Sequence, residues 1–271
     1  MKDIFYKYDS INAFLKDIEN GKVNKVFAGK ECSQGVDRET VDFTGTESFA
    51  VADRLMKYGD DDNAAKMNAA AANVKTRAAG GTDFRPQMYT AQAGFMPCVP
   101  KSIMGLPCNM YNRKMVSFKN SKVLTIVYNQ NALGGISSDE ICKVSVNIVN
   151  AILAAEKSGY RINFYFLFNA QKGNERLTAL IKIKDSGTYM DKRKMAYPLI
   201  NPSMLRRHMF RFEETRPELK ESRWANSYGS GVSDRDTEKI LKDKHFKYDK
   251  MLSFYGARYL SSEQICKMFL K

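Results

Sequence analysis

Two groups of residues in this chain have the types and spacing to do chemistry. The first is the polar run Asn129-Gln130-Asn131 together with Ser137, which lies between an apolar, β-branched stretch (122–128) and a helical pattern opening at Ser137-Ser138-Asp139-Glu140. Side-chain amides beside the free N–H groups of a helix start can recognise a phosphate or a partner's carboxylate. The same amides can instead bond the loop to itself while Gly134-Gly135 supply positive backbone dihedrals. The second group is Arg206, Arg207 and Arg211, at i, i+1 and i+5 of a helical stretch over 202–212. Regular winding puts Arg207 and Arg211 on one face with Arg206 about 100° away, which suits forked contacts to adjacent phosphates. Pairing with Glu213, Glu214 or Glu218 is the structural alternative. A lesser group, Arg113-Lys114 beside Tyr111, interleaves cations with a ring as a nucleic-acid strand requires.

Enzymatic constellations are thin, and no catalytic residue is assigned. The sequence holds no G-x-S-x-G elbow, no phosphate-cradling G-x-x-x-x-G-K-[ST], no G-x-G-x-x-G after a strand and no H-E-x-x-H. His208 sits among Arg206, Arg207 and Arg211, whose charges favour its neutral form. Cys32, Cys98, Cys108, Cys142 and Cys266 are odd in number and scattered, which argues against disulfides or structural zinc. The expectation is no metal and no cofactor.

The elements that must position these residues follow from periodicity. Helical spacing is expected over 3–20, 48–58 and 64–79, and residues 80–121 read as loop-rich. Strands at 123–128 and 162–168, joined by a helix over 138–157, make a parallel βαβ unit, whose ligands collect at the carboxyl ends of its strands. Strict alternation at 177–183 after a short turn predicts an antiparallel partner at one edge of the sheet. A helix over 234–243, a short strand over 251–255 and a closing helix over 261–270 complete the pattern. The resulting organisation is a helical amino-terminal region, 1–95, and a three-layer, Rossmann-like α/β domain, 96–271.

A strand, polar loop, long helix and antiparallel edge hairpin, in this order, resemble a von Willebrand A-type domain. That resemblance implies a divalent-cation site reading Asp-x-Ser-x-Ser, and the matching positions here are Asn129, Asn131 and Leu133. Hard cations need anionic oxygens, so the architecture is expected without the metal. Phe43-Thr44-Gly45-Thr46-Glu47-Ser48-Phe49, residues 100–110, 123–159 and Lys194-Met195-Ala196-Tyr197-Pro198-Leu199-Ile200-Asn201-Pro202 further resemble an uncharacterised family of tailed-bacteriophage proteins. This implies a phage-encoded protein in the cytoplasm of a bacterial host, and it implies no activity.

The charge of +13 is uneven: thirteen Lys and Arg face fourteen Asp and Glu up to residue 95, and thirty face sixteen beyond it. A basic two-thirds is the footprint of a polyanion partner. No apolar run approaches the ~20 residues of a membrane span, and the opening residues lack a signal-peptide core. The sequence therefore points to a non-enzymatic nucleic-acid-binding accessory protein of phage DNA metabolism or packaging, with a host- or phage-protein interaction module as the alternative. The number of subunits is left open.

Overall fold

The computed structural model describes residues 1–72, 87–114, 122–131, 136–188 and 190–270. The chain opens with a strand, β1 (Lys2–Tyr8), and not with the helix expected from residue 3. Ile4, Tyr6 and Tyr8 alternate with Asp3, Phe5 and Lys7, so a sheet can use the same apolar residues that fit a helical stripe. Ser10 then caps α1 (Ile11–Asn20), accepting the Ala13 N–H at 3.1 Å.

Three helices follow, α2 (Arg38–Thr44), α3 (Phe49–Tyr58) and α4 (Asp61–Ala72). Residues 73–79 of the expected alanine-rich helix lie outside the described residues. Where the sequence reads as loops, β2 (Gln87–Ala91), β3 (Met96–Pro97) and β4 (Met110–Lys114) form a small antiparallel sheet in the order β2-β4-β3, with α5 (Val99–Ile103) between β3 and β4.

The remainder runs β5 (Val123–Asn129), α6 (Ser138–Lys157), β6 (Arg161–Lys172), β7 (Glu175–Lys184), α7 (Lys192–Ile200), α8 (Phe210–Glu214), α9 (Asp234–Asp243), β8 (Lys250–Ser253), α10 (Phe254–Ala257) and α11 (Ser262–Leu270). The main sheet has the order β1-β7-β6-β5-β8. β5 is parallel to β6, and β7 is antiparallel to β6, as the patterns predict; β8 pairs in parallel with the other edge of β5. Gly173, at φ +57, makes the tight turn between β6 and β7.

β7 does not lie at an edge. β1 pairs with it in parallel, Ile4 opposite Leu177 and Tyr8 opposite Ile181. Leu177, Ala179, Leu180 and Ile181 are buried from both faces, and such a strand leaves its outer N–H and C=O groups to be satisfied by another strand. The sheet thus draws on residues from both sides of position 95, and the amino-terminal region is not a purely helical appendage. The molecule is mixed α/β, with a mostly parallel five-stranded sheet and a separate antiparallel one.

The two faces of the main sheet are unequal. Ile126, Tyr128, Phe164, Phe166 and Ala179 join the large core with Phe14 of α1, Ile148 of α6, Tyr197 of α7, Phe212 of α8 and Phe269 of α11. On the other face Val127, Tyr165, Leu167 and Leu180 meet Leu241 of α9. Among the described residues no helix is long and apolar enough to cross a membrane.

Pro198 does not interrupt α7, which ends two residues later with the Leu199 carbonyl accepting from the side chains of Ser145 and Gln130. Between α7 and α8 the chain winds as a π turn, Met204–Met209, wider than an α-helix. The two neighbouring arginines of this turn meet different surroundings. Arg206 turns outward, and Arg207 is fully buried. The Arg207 guanidinium donates from Nε to Thr46 Oγ1 at 2.8 Å, from Nη2 to the Thr46 carbonyl at 2.7 Å and from Nη1 to the Gly35 carbonyl at 3.0 Å. Thr46 Oγ1 in turn lies 2.7 Å from Ser203 Oγ. The phosphate-facing role expected of Arg207 is therefore corrected: it pins the α2–α3 connection to the π turn. Removing it leaves buried carbonyls unpaired around a void. Arg207→Ala is expected to lower stability by about 3–5 kcal/mol in denaturant unfolding. An unchanged unfolding midpoint would show that the connection holds without it.

Candidate functional site

The carboxyl ends of β5 and β6 are closed by a latch of amides. Asn131 donates from Nδ2 to Asn169 Oδ1 and to the Val232 carbonyl at 3.4 Å, and its Oδ1 accepts the Asn169 N–H at 3.2 Å. Asn169 Oδ1 also accepts the Val232 N–H at 3.0 Å, and its Nδ2 donates to Thr237 Oγ1 at 2.7 Å. Asn129 donates to Asp234 Oδ1 at 3.3 Å. These bonds fasten residues 232–237, and with them the start of α9, across the end of the sheet. Of the two roles open to Asn129 and Asn131, bonding within the protein is the one in place, although their partners lie beyond their own loop. Gly134-Gly135 and Leu133 lie outside the described residues. Ser137 caps α6, its Oγ accepting the Glu140 N–H at 3.3 Å.

Beside the latch a cavity of about 420 Å³ opens, with Phe43, Ile141, Phe168, Leu205 and Phe210 among its apolar walls and Arg206 and Asn131 on its polar side. A second cavity of about 510 Å³ adjoins it and shares Cys32, Arg206, Phe210, Ser227 and Tyr228. The Arg206 guanidinium carbon stands 5.2 Å from the Phe43 ring centre and 5.7 Å from that of Phe210. Phe210 in turn stacks on Tyr228, with ring centres 3.7 Å apart. The Tyr228 hydroxyl donates to Glu214 Oε1 and accepts the Cys32 N–H at 2.8 Å. The π turn and the strand ends thus bring Arg206 and Asn131, far apart in sequence, to one cleft.

The other expected residues lie elsewhere. Arg211 donates to the Gly21 carbonyl at 3.4 Å and stands 3.9 Å from Glu214 Oε2. Arg113 and Lys114 are the last residues of β4, in the small sheet. His208 is buried, with Nδ1 2.9 Å from the Tyr197 hydroxyl and Nε2 3.9 Å from Asp53, and burial lowers its pKa. Among the described residues no three His, Cys, Asp or Glu side chains converge as a metal site needs.

A second surface was not singled out from the sequence. Arg235, Lys239 and Lys242 stand at i, i+4 and i+7 of α9 and share its outer face, while Thr237, Ile240 and Leu241 are buried. With Glu238, Phe246, Lys247 and Tyr248 they line a groove of about 620 Å³. The Phe246 ring packs edge-on against Tyr165 at 5.0 Å and lies nearly parallel to Tyr248 at 6.4 Å. Lys7 and Lys182 reach the Phe246 and Tyr165 rings at 6.0 and 5.8 Å. Among the described residues Arg235, Lys242 and Lys247 form no ion pair; Lys239 approaches Asp236 at 3.5 Å. The signal that could have found this stripe is the helical spacing of its three cations.

Glu213 of α8 is fully buried, and both its carboxylate oxygens lack a partner among the described residues. Burial, reinforced by the neighbouring Glu214 charge, raises its pKa well above the usual carboxylate value. Ionising it therefore costs more in the folded than in the unfolded chain, and stability falls as pH rises from about 4.3 toward the raised value. Glu213→Gln is expected to flatten this fall, measured by denaturant unfolding between pH 5 and 8. An identical pH slope in the variant would place the titration elsewhere.

No curated protein and no solved structure matches the chain. One family model does, over residues 2–263, which takes in the latch, the cleft and the α9 groove. The chain belongs to the family described as Domain of unknown function (DUF7192).

Proposed function

We propose that this protein binds nucleic acid without acting on it chemically, as a phage-encoded accessory of DNA metabolism or packaging in the host cytoplasm. The observation that carries the reading is the α9 groove: three exposed cations, Arg235, Lys242 and Lys247, with no ion pair among the described residues, stand beside the rings of Phe246 and Tyr248. Arg235 and Lys242 are seven residues apart, so the stripe extends about 10 Å along the helix. Cations track a phosphate backbone, and ring faces stack bases with little regard to sequence. The positive balance of residues 96–271 supports the same partner. The phage setting rests on the sequence resemblance alone.

A protein-interaction module without nucleic-acid binding is favoured by a different observation. Met88, Tyr89, Phe95, Met96, Val99 and Ile103 are exposed on and around the small sheet, more apolar surface than a solvated face ordinarily gathers.

Fluorescence anisotropy with labelled single-stranded and duplex oligonucleotides, over a range of salt, separates the two. The groove reading expects single strands to bind more tightly, independently of sequence. It also expects Arg235→Ala/Lys242→Ala to reduce the logarithmic salt slope by about one to two while the unfolding midpoint stays put. Unchanged affinity and slope in a folded double variant would remove the groove from the binding surface. Absence of any binding at low salt would transfer preference to the interaction module.

A further inference from the structure

We propose that the cleft at the carboxyl ends of β5 and β6 is a separate site for a phosphate monoester carried on a flat, largely apolar body. Arg206 binds the phosphate, and the walls of the 420 Å³ cavity enclose the rest. The site does not depend on the α9 groove.

Arg206 differs from the paired arginines of the fold, and also from Arg54 and Arg235, which stand exposed. Arg176 pairs with Asp3, Arg193 with Asp61, Arg216 with Asp17 and Arg258 with Glu140. Among the described residues the Arg206 guanidinium makes no hydrogen bond and no ion pair, although it is partly buried and held over two rings. Contact with ring faces leaves the N–H groups around its edge available, and a guanidinium carries five such donors in a fixed fork. A partly desolvated cation of this kind gains from an anion with several acceptor oxygens.

A second charge backs one of the cleft's hydroxyls. Lys172 donates its ammonium hydrogen to Ser227 Oγ, and Ser227 lines both cavities. Because that oxygen accepts from an ammonium, its own O–H is left to donate, with its polarity strengthened by the lysine. Lys172 forms no ion pair among the described residues. One guanidinium with one lysine-backed hydroxyl matches the charge of a phosphate monoester better than that of a single carboxylate. Glu31 and Asp37 line the adjoining cavity and not this one, which directs an anion to the sheet side of Arg206. The volume and the mainly apolar walls are those of a site that encloses a small organic body and orients it through a few polar groups.

The shared chemistry has two sources, a free mononucleotide or the phosphorylated end of a strand. Isothermal titration with phenyl phosphate, nucleoside monophosphates, inorganic phosphate and benzoate tests the first. Oligonucleotides with and without a 5′ phosphate, offered to the Arg235→Ala/Lys242→Ala protein, test the second. Saturable binding of the monoesters, tighter than that of phosphate or benzoate, is expected, and Arg206→Met should weaken it about tenfold to a hundredfold. A 5′-phosphate preference that survives the groove substitutions identifies a strand end. Mononucleotide binding without that preference identifies a free ligand. Cys32 gives a readout on the unaltered protein, because it is exposed and lines the cleft, whereas Cys108 is exposed outside it. Bound monoester should slow alkylation of Cys32 and leave Cys108 unaffected. No saturable binding by any monoester, affinity unchanged in Arg206→Met, or equal protection of both thiols would each overturn the proposal.

Discussion

The fold depends on β6 being satisfied on all four of its sides. This strand pairs with β5 along one edge and β7 along the other, and residues 164–170 are buried on both faces. A strand so enclosed has no access to water for its backbone, so its neighbours must supply every hydrogen bond and its side chains must be apolar or fully partnered. Phe164, Phe166 and Phe168 meet the first condition, and Asn169 meets the second through three side-chain hydrogen bonds. The latch over the strand ends is therefore a requirement of burial, and the cleft beside it is the space that remains where the latch stops.

This accounts for which parts were legible in the sequence. The order β5, α6, β6, β7 could be read because apolar periodicity changes from two to 3.6 and back within one continuous stretch. β1 could not, because Ile4, Phe5, Tyr6 and Tyr8 satisfy either period and their choice is made by β7, more than 170 residues away. The arginines illustrate the same limit at side-chain level. Arg206 and Arg207 are adjacent in sequence and identical in chemistry, yet one faces a cavity and the other bonds Thr46, 161 residues earlier. Helical spacing alone could not show that Arg207 faces the α2–α3 connection and not solvent. The amides were recognised as polar groups at a strand end, but their partners at 232–237 belong to a segment that carries no local sign of docking there. By contrast, the α9 stripe required no tertiary knowledge: it was present in the spacing of Arg235, Lys239 and Lys242.

The two candidate surfaces also differ in how the protein maintains them. The groove cations stand in water on the outside of a helix, where changing one disturbs little beyond local charge. Arg206 projects from the same turn that buries Arg207 and His208, so its position is inherited from a densely bonded core. Precise placement of a single cation suits recognition of one chemical group, and a row of solvent-exposed cations suits a polymer without sequence preference.

The pairing of β1 with β7 has a consequence for synthesis. Lys2–Tyr8 leave the ribosome well before their partner, Glu175–Lys184, which is made after most of the main sheet's other residues. Until then this apolar segment has no native strand partner, and long-range parallel pairing of this kind is slow to form. For that interval the nascent chain carries an adhesive segment, a natural target for holdase chaperones and for premature association between chains on neighbouring ribosomes. Lys2, Asp3, Lys7 and Asp9, alternating with or flanking the apolar residues, act as charged gatekeepers during the delay.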